Sequence, residues 1–192
     1  MASRLNEEEI KRYLLHVYFG PIGSVPVKKA VNRAYLDFNR TLRGFGVHPE
    51  RTDVRSSVGE YLEYEVKSLA SMQMVCQDDF DSWHEATCMQ LKRFYSDFPF
   101  TIGQSQKWIN MAIKYLFIID RERVEACWQY CHVPIDRILL MQLHEQGHEP
   151  PPIKKPWSRL DDYGEYLDFQ RWFRSEFSGA PMDNEFRIWM NP

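Results

Sequence analysis

The segment FTIGQSQKWINMAIKYLFIID, residues 100–120, predicts a strongly apolar helix that begins after a turn at residues 101–103. It carries Lys107 in its first turn, where the helix dipole disfavours a cation. Lys114 follows seven residues later and projects from the same face of the helix. Two lysines on one face of an apolar helix indicate a chemical role for that face, provided that partners come from elsewhere in the chain.

Helical periodicity extends along the rest of the chain, and no alternation indicates a sheet. An Asp pair precedes one helix at Phe80, while Gly147 and the following prolines stop another that opens at Pro134. Besides the opening segment, the predicted helices are 7–19, 27–42, 59–76, 80–98, 122–131, 134–146 and 163–178. We therefore predict an all-α fold of about eight helices, in a single domain over residues 1–192 that contains a cleft.

Composition indicates a globular protein, because 44% of the 192 residues are hydrophobic and 27% are charged. No run of 18 apolar residues is present, and the N-terminus lacks the order of regions found in a signal peptide. We therefore expect a cytoplasmic monomer that does not bind membranes. The four cysteines have no disulfide or iron–sulfur spacing, so we expect free core thiols.

The net charge of −3 is unevenly distributed along the chain. Residues 28–55 carry seven basic and three acidic side chains, net +4, and residues 91–119 carry a net +3. Residues 161–185 carry seven acidic and two basic side chains, net −5. Such asymmetry is compatible with a face that meets a polyanion, although an ordinary mixed surface explains the same counts.

The string HEQGH, residues 144–148, matches the pattern of zinc peptidases, in which two histidines bind the metal and the glutamate activates water. Here Gly147 and the prolines after it end the helix, and Pro151 and Lys154 occupy the positions of the longer motif. We therefore expect no bound metal, and a zinc hydrolase is only a third interpretation.

A second group combines Lys107 with HVPID, residues 132–136. Asp136 follows Pro134 into the first turn of a helix, where free N–H groups stabilise a carboxylate. The helix start and the apolar neighbours of Lys107 favour a neutral amine, which is a nucleophile able to form a Schiff base. A capping acid and a lysine that extends its amine into solvent are the simpler interpretations.

Together, a lysine at the start of an apolar helix and the VPID step at residues 133–136 resemble the helix-hairpin-helix DNA glycosylases. The resemblance is greatest to the enzymes that remove 8-oxoguanine, including the compact archaeal type, and covers mainly residues 98–146. It implies that Lys107 attacks the sugar C1′ of a flipped nucleotide. Asp136 would stabilise positive charge on the sugar and assist proton transfer. Lys114 is a second candidate nucleophile, and the usual hairpin glycines are represented by Gly103 alone.

The resemblance also implies different roles for different parts of the chain. Residues 98–146 would form the hairpin and catalytic core, and residues 147–192 a C-terminal pocket or lid. The predicted base pocket comprises Gln104, Trp157, Asp168 and Trp172. The predicted DNA contacts are Gly103, Lys92, Lys114 and His132. Asp168 and Trp172, one turn apart, resemble the acid and tryptophan that hold the base in the archaeal type, whereas core packing for the aromatics and capping for Gln104 are the alternatives.

The sequence thus predicts a DNA glycosylase that acts on double-stranded DNA containing a modified base, with or without strand cleavage, and needs no cofactor. The identity of the excised base stays open between oxidised, alkylated and hypermodified bases. A helical binding or adaptor protein without catalytic activity is the alternative, and it predicts that Lys107 and Asp136 lie apart.

Overall fold

The computed structural model describes residues 4–21, 23, 25–72 and 76–190. These residues contain eight α-helices and no β-strand, so the all-α prediction is confirmed for this part of the chain. The helices are α1 Glu7–Phe19, α2 Pro26–Phe38, α3 Arg51–Ser68, α4 Gln77–Phe94, α5 Ile102–Ile119, α6 Arg137–Glu145, α7 Tyr163–Glu176 and α8 Pro181–Met190. None of these helices combines the length and apolar character needed to span a bilayer.

Some observed helices differ from the predicted ones in their bounds or in their type. The predicted helix 59–76 begins earlier, at Arg51, and runs through Gly59 because Val58, Leu62 and Val66 form one buried stripe. It ends at Ser68, and residues 73–75 of the predicted helix lie outside the described residues. The predicted helix 122–131 is replaced by two 3₁₀ helices, Arg121–Arg123 and Glu125–Tyr130, and α8 was not predicted at all.

Helix α5 lies at the centre of the fold, since every residue from Ile102 to Leu116 is buried. It packs most extensively against α2 and next against α4. Trp108 is inserted between these elements, where its indole Nε1 donates to the Val31 carbonyl at 2.9 Å. Its ring lies 5.1 Å from Tyr35 and 5.4 Å from Phe38, centroid to centroid. The two lysines of α5 are therefore carried by a helix that solvent barely reaches.

The first turn of α5 is covered by the connection that precedes α7. Three backbone N–H groups are satisfied there: Ile102 N–H by Asp161 Oδ1 at 3.2 Å, Gly103 N–H by the Leu160 carbonyl at 2.8 Å, and Gln104 N–H by Thr101 Oγ1 at 3.2 Å. Gly103 permits this approach, because a Cβ at that position would lie 1.8 Å from the Trp157 carbonyl oxygen. The glycine is therefore required for packing.

Helix α6 begins at Arg137, three residues after Pro134, because Asp136 is its N-cap. The Asp136 Oδ1 accepts a hydrogen bond from Leu139 N–H at 2.8 Å. Residues 131–136 lie between the preceding 3₁₀ helix and α6 without regular structure. The prediction that Pro134 opens the helix was wrong, since the capping carboxylate satisfies the first free N–H groups and sets the boundary.

The free-thiol expectation is met by Cys88, Cys127 and Cys131, which are buried and unlinked. Cys76 is also free but is exposed, at the N-cap of α4, and therefore does not belong to the core.

The close approach at Gly103 predicts a large effect of Gly103→Ala on stability. The added methyl must displace the backbone at Trp157 and break the hydrogen bond to Leu160, which we expect to cost about 2–4 kcal/mol of unfolding free energy. Gly59→Ala is the matched control, because no atom lies within 4 Å of its added Cβ in α3. That variant should gain about 0.5–1 kcal/mol. Urea denaturation measures both, and equal stabilities would contradict the packing described.

Candidate active site

Lys107 and Asp136 form a buried ion pair, with Lys107 Nζ 2.6 Å from Asp136 Oδ2. The two residues are only 4% and 9% exposed. Lys107 is the sixth residue of α5 and therefore lies in its second turn, not in the first as predicted. The two carboxylate oxygens of Asp136 have separate tasks, since Oδ1 caps α6 while Oδ2 receives the lysine. The amine and the carboxylate are thus joined by a direct, buried hydrogen bond.

The segment that carries Asp136 is held in place by side-chain amides. Gln106 Nε2 donates to the Ile135 carbonyl at 2.8 Å, and Ile135 N–H donates to Gln106 Oε1 at 3.1 Å. Gln170 of α7 makes the same two-bond contact with the backbone of Val133, at 2.9 and 3.0 Å. Because Gln106 and Lys107 are neighbours in α5, one helix positions both the backbone before Asp136 and the amine that meets its carboxylate.

A second buried ion pair lies on the same face of α5, where Lys114 Nζ contacts Glu185 Oε2 of α8. Burial lowers the pKa of Lys114 and raises the pKa of Glu185, although the attraction between the two partly opposes both shifts. The predicted common face of Lys107 and Lys114 is thus observed. Both lysines open onto one surface pocket of about 490 Å³.

Aromatic side chains form much of the wall of this pocket. Phe186 and Trp189 of α8 have their ring centroids 4.4 and 5.5 Å from Lys114 Nζ. Two tyrosines also line the pocket: the Tyr115 hydroxyl donates to Asp37 at 2.7 Å and lies 2.9 Å from the Tyr18 hydroxyl, oxygen to oxygen. Trp189 is 40% exposed, so part of its side chain is accessible to a ligand. The pocket therefore offers aromatic faces and charged groups to one ligand.

The four residues predicted to form the base pocket do not line this pocket. Gln104 instead accepts from Thr101 N–H at 3.1 Å, completing the capping box that was its alternative role, and donates to the Thr41 carbonyl at 3.2 Å. Trp157 lines a different depression, beside the prolines at 150–152. Asp168 is exposed on α7 and pairs with Arg171 at 3.5 Å.

Trp172, the fourth of these residues, packs against Phe169 and Phe177, with ring centroids 5.5 and 6.4 Å away. This is the core-packing alternative for an aromatic side chain at helical spacing.

The predicted DNA contacts are also engaged within the protein. The Gly103 N–H donates to the Leu160 carbonyl, and the Lys92 amine forms an ion pair with Asp161. His132 is fully buried and therefore cannot reach a ligand on the surface. Lys114 is the exception, because it lines the pocket, although its amine is paired there with a carboxylate.

His132 belongs to a buried polar network between α4, α5 and α7. Its Nε2 lies 2.7 Å from Asp81 Oδ1, and its Nδ1 lies 2.9 Å from the Tyr166 hydroxyl. Burial lowers the pKa of His132, and lowers that of the neighbouring His84 well below the usual value. Burial would raise the pKa of Asp81, but hydrogen bonds from His132 and Gln77 outweigh it and lower that pKa to about 2. This network supports the segment that leads to Asp136.

The HEQGH string shows no metal-binding arrangement. Helix α6 ends at Glu145, His144 is exposed, and His148 Nδ1 lies 2.7 Å from Glu176 Oε1. Among the residues described by the structure, no group of three or more His, Cys, Asp or Glu side chains could hold a metal ion.

The sequence analysis missed the contribution of α8. Glu185 and Trp189 are an acid and a tryptophan one turn apart, the same spacing that directed attention to Asp168 and Trp172 on α7. A spacing match does not distinguish the two helices. Only the packing of α8 beside Lys114 does so.

No protein-family model, curated protein or solved structure matches this chain. The function must therefore be argued from the geometry of the chain itself.

The two neutral buried histidines predict a loss of stability on mild acidification. In the unfolded chain both titrate near pH 6.5, whereas their folded pKa values are lower, so the unfolded state binds more protons and stability falls as the pH falls. Between about pH 7.5 and 6, each histidine should contribute a loss of up to about 0.8 kcal/mol.

Urea denaturation at the two pH values measures this loss. His84→Gln should be less stable at the higher pH but should show a weaker pH dependence. His16→Gln, which changes an exposed residue of α1, should retain the dependence of the wild type. A wild-type stability that does not change with pH would show that these histidines do not remain neutral in the folded protein.

Proposed function

We propose that this protein is a DNA glycosylase of the helix-hairpin-helix type, which extrudes a modified base from duplex DNA and excises it. The observation that carries the proposal is the 2.6 Å contact between the Lys107 amine and the Asp136 carboxylate. The pair that the resemblance names as catalytic is thus in contact, at a pocket of about 490 Å³. The alternative of an adaptor protein predicted that these residues lie apart, so their contact favours the enzyme.

The chemistry follows from the proximity of an amine and a carboxylate. Asp136 takes a proton from the Lys107 ammonium, and the freed amine attacks C1′ as the bond between C1′ and the base breaks. Asp136 then passes this proton to the departing base, and the regenerated carboxylate stabilises the positive charge on the sugar. Opening of the sugar ring leaves an imine between Lys107 and C1′, from which elimination can cleave the strand.

The pocket wall supplies groups suited to an extruded base. A flipped base is held by stacking on aromatic faces and by hydrogen bonds to its edge. Trp189 and Phe186 offer the faces, and Lys114 lies beside them as a donor. We therefore transfer the acid and tryptophan roles from Asp168 and Trp172 to Glu185 and Trp189. In this arrangement Glu185, only 1% exposed, acts by orienting the Lys114 amine.

The nucleophile is tested by reductive trapping. With borohydride and a panel of duplexes that contain oxidised, alkylated or hypermodified bases, the wild type should form a covalent adduct on at least one of them. Lys107→Gln should abolish the adduct, whereas Lys114→Gln should retain it at a reduced rate. Lys67→Gln, which removes an exposed lysine of α3, is the control and should leave trapping unchanged.

Removal of one member of a buried ion pair can destabilise the fold by about 3–5 kcal/mol. The double variant Lys107→Gln/Asp136→Asn avoids an unpaired buried charge and should be folded, with an intact helical circular dichroism spectrum, but inactive. An active double variant would refute the catalytic roles of Lys107 and Asp136. A wild type that forms no adduct and excises no base from any duplex in the panel would refute the glycosylase.

The stacking role predicts a specific effect of Trp189→Ala. Loss of one base–aromatic stack should weaken the apparent affinity for modified duplex by about 1–3 kcal/mol, or roughly 5–150-fold, in steady-state excision kinetics. Binding of unmodified duplex should change little, because no base is extruded from it. Trp172→Ala is the matched control, since Trp172 lies outside the pocket. Equal effects of the two substitutions would show that α8 does not hold the base.

A further inference from the structure

A second cavity, a groove of about 760 Å³, lies beside the start of α5. Three segments form its walls: the 3₁₀ turn Asn39–Thr41 with the residues after it, the turn before α5, and the 3₁₀ turn Trp157–Arg159. Arg40, Arg43 and Arg159 line the groove, together with Thr101 and Ser158. No carboxylate is among its lining residues. We call this cavity the arginine groove.

The three arginines of the arginine groove are exposed, and no described residue forms an ion pair or hydrogen bond with their side chains. Other arginines are neutralised locally, such as Arg33 by Asp37 and Arg123 by Asp120. Three exposed guanidinium groups that line one groove without a carboxylate favour an anionic ligand. A guanidinium group also matches the geometry of a phosphate, to which it can donate two parallel hydrogen bonds.

The arginine groove and the candidate active site share one lining residue. Arg40 lines both the groove and the pocket that contains Lys107 and Asp136. It also lines a third depression, to which Arg51 and Arg55 contribute. Arginines of the segment 28–55, which carries a net +4, therefore line all three cavities.

The walls of the arginine groove are tied together through the first turn of α5. Thr101 Oγ1 donates to the Ser158 carbonyl at 3.0 Å, and Gln104 Nε2 donates to Thr41 Oγ1 at 3.0 Å. The Gly103 N–H reaches Leu160 on the same side. The polar groups at the start of α5 are thus used to build the groove, and the arginine side chains of the groove remain available to a ligand.

We propose that the arginine groove binds the phosphodiester backbone of the DNA strand next to the extruded nucleotide, with Arg40 contacting a phosphate at the entrance to the pocket. The proposal rests on the proposed function for the identity of the strand. The phosphate contacts that were expected from Gly103, Lys92 and His132 are instead made by Arg40, Arg43 and Arg159. Helix α5 thereby sets the distance between the phosphate-binding groove and the catalytic amine.

The test measures how salt affects DNA binding. A fluorescent duplex that contains a stable abasic-site analogue is titrated with protein between about 50 and 200 mM salt. Each of Arg40→Gln, Arg43→Gln and Arg159→Gln should weaken binding several-fold and reduce the slope of log K against log salt by about one. Arg171→Gln is the matched control, because it removes an exposed arginine from the acidic segment 161–185, and it should bind as the wild type does.

The results of these binding experiments can refute the arginine groove independently of the proposed glycosylase activity. If the three groove variants bind with the affinity and salt slope of the wild type, or if Arg171→Gln weakens binding equally, the arginine groove does not hold the strand, whether or not borohydride traps Lys107. If the groove variants lose affinity while the wild type excises no base from any duplex, the groove proposal stands and the glycosylase does not. Tighter binding of duplex RNA than of duplex DNA would overturn the assignment of the strand.

Discussion

The site depends on two adjacent contacts between α5 and the segment that ends at Asp136. Gln106 holds the backbone of Ile135 through two hydrogen bonds. Lys107, which follows Gln106, places its Nζ 2.6 Å from Oδ2 of Asp136, which follows Ile135. Neither contact would persist if α5 rotated or shifted along its axis. The position of the helix is set in turn by Trp108 in the core and by the covered turn at Gly103.

A helix buried on all sides requires a partner for each of its polar groups, because an unpaired polar group in the interior costs about 1–3 kcal/mol. In α5 these partners come from several surrounding elements, among them Thr41 after α2, His84 of α4, Ile135 and Asp136 before α6, and Glu185 of α8. A buried ion pair is weak evidence for stability, since hydrophobic residues of similar volume often serve the fold as well. Two such pairs on one face of α5, beside an aromatic pocket, are consistent with a chemical role.

Much of the fold could be predicted from local patterns. The bounds of α1 were predicted correctly because its capping box at Asn6 and the glycine after Phe19 act within the helix itself. The common face of Lys107 and Lys114 likewise followed from helix geometry alone. Prediction failed where distant segments decided the outcome: Gly59 lies inside α3 because a core stripe continues through it, and Gln104 points to Thr41 instead of the pocket.

The sequence by itself determined that the chain is helical, which side chains share a helix face, and that a lysine and a capping aspartate could form a reactive pair. These properties depend on residues within a turn or two of each other, so periodicity and capping report them directly. Only the tertiary structure decided that Glu185 and Trp189, not Asp168 and Trp172, lie beside that pair. It also decided that the N–H of Gly103 is used internally and that arginines from separate segments share one groove. Those relations join segments that are at least 49 positions apart in the chain, and no local pattern encodes the packing that brings them together.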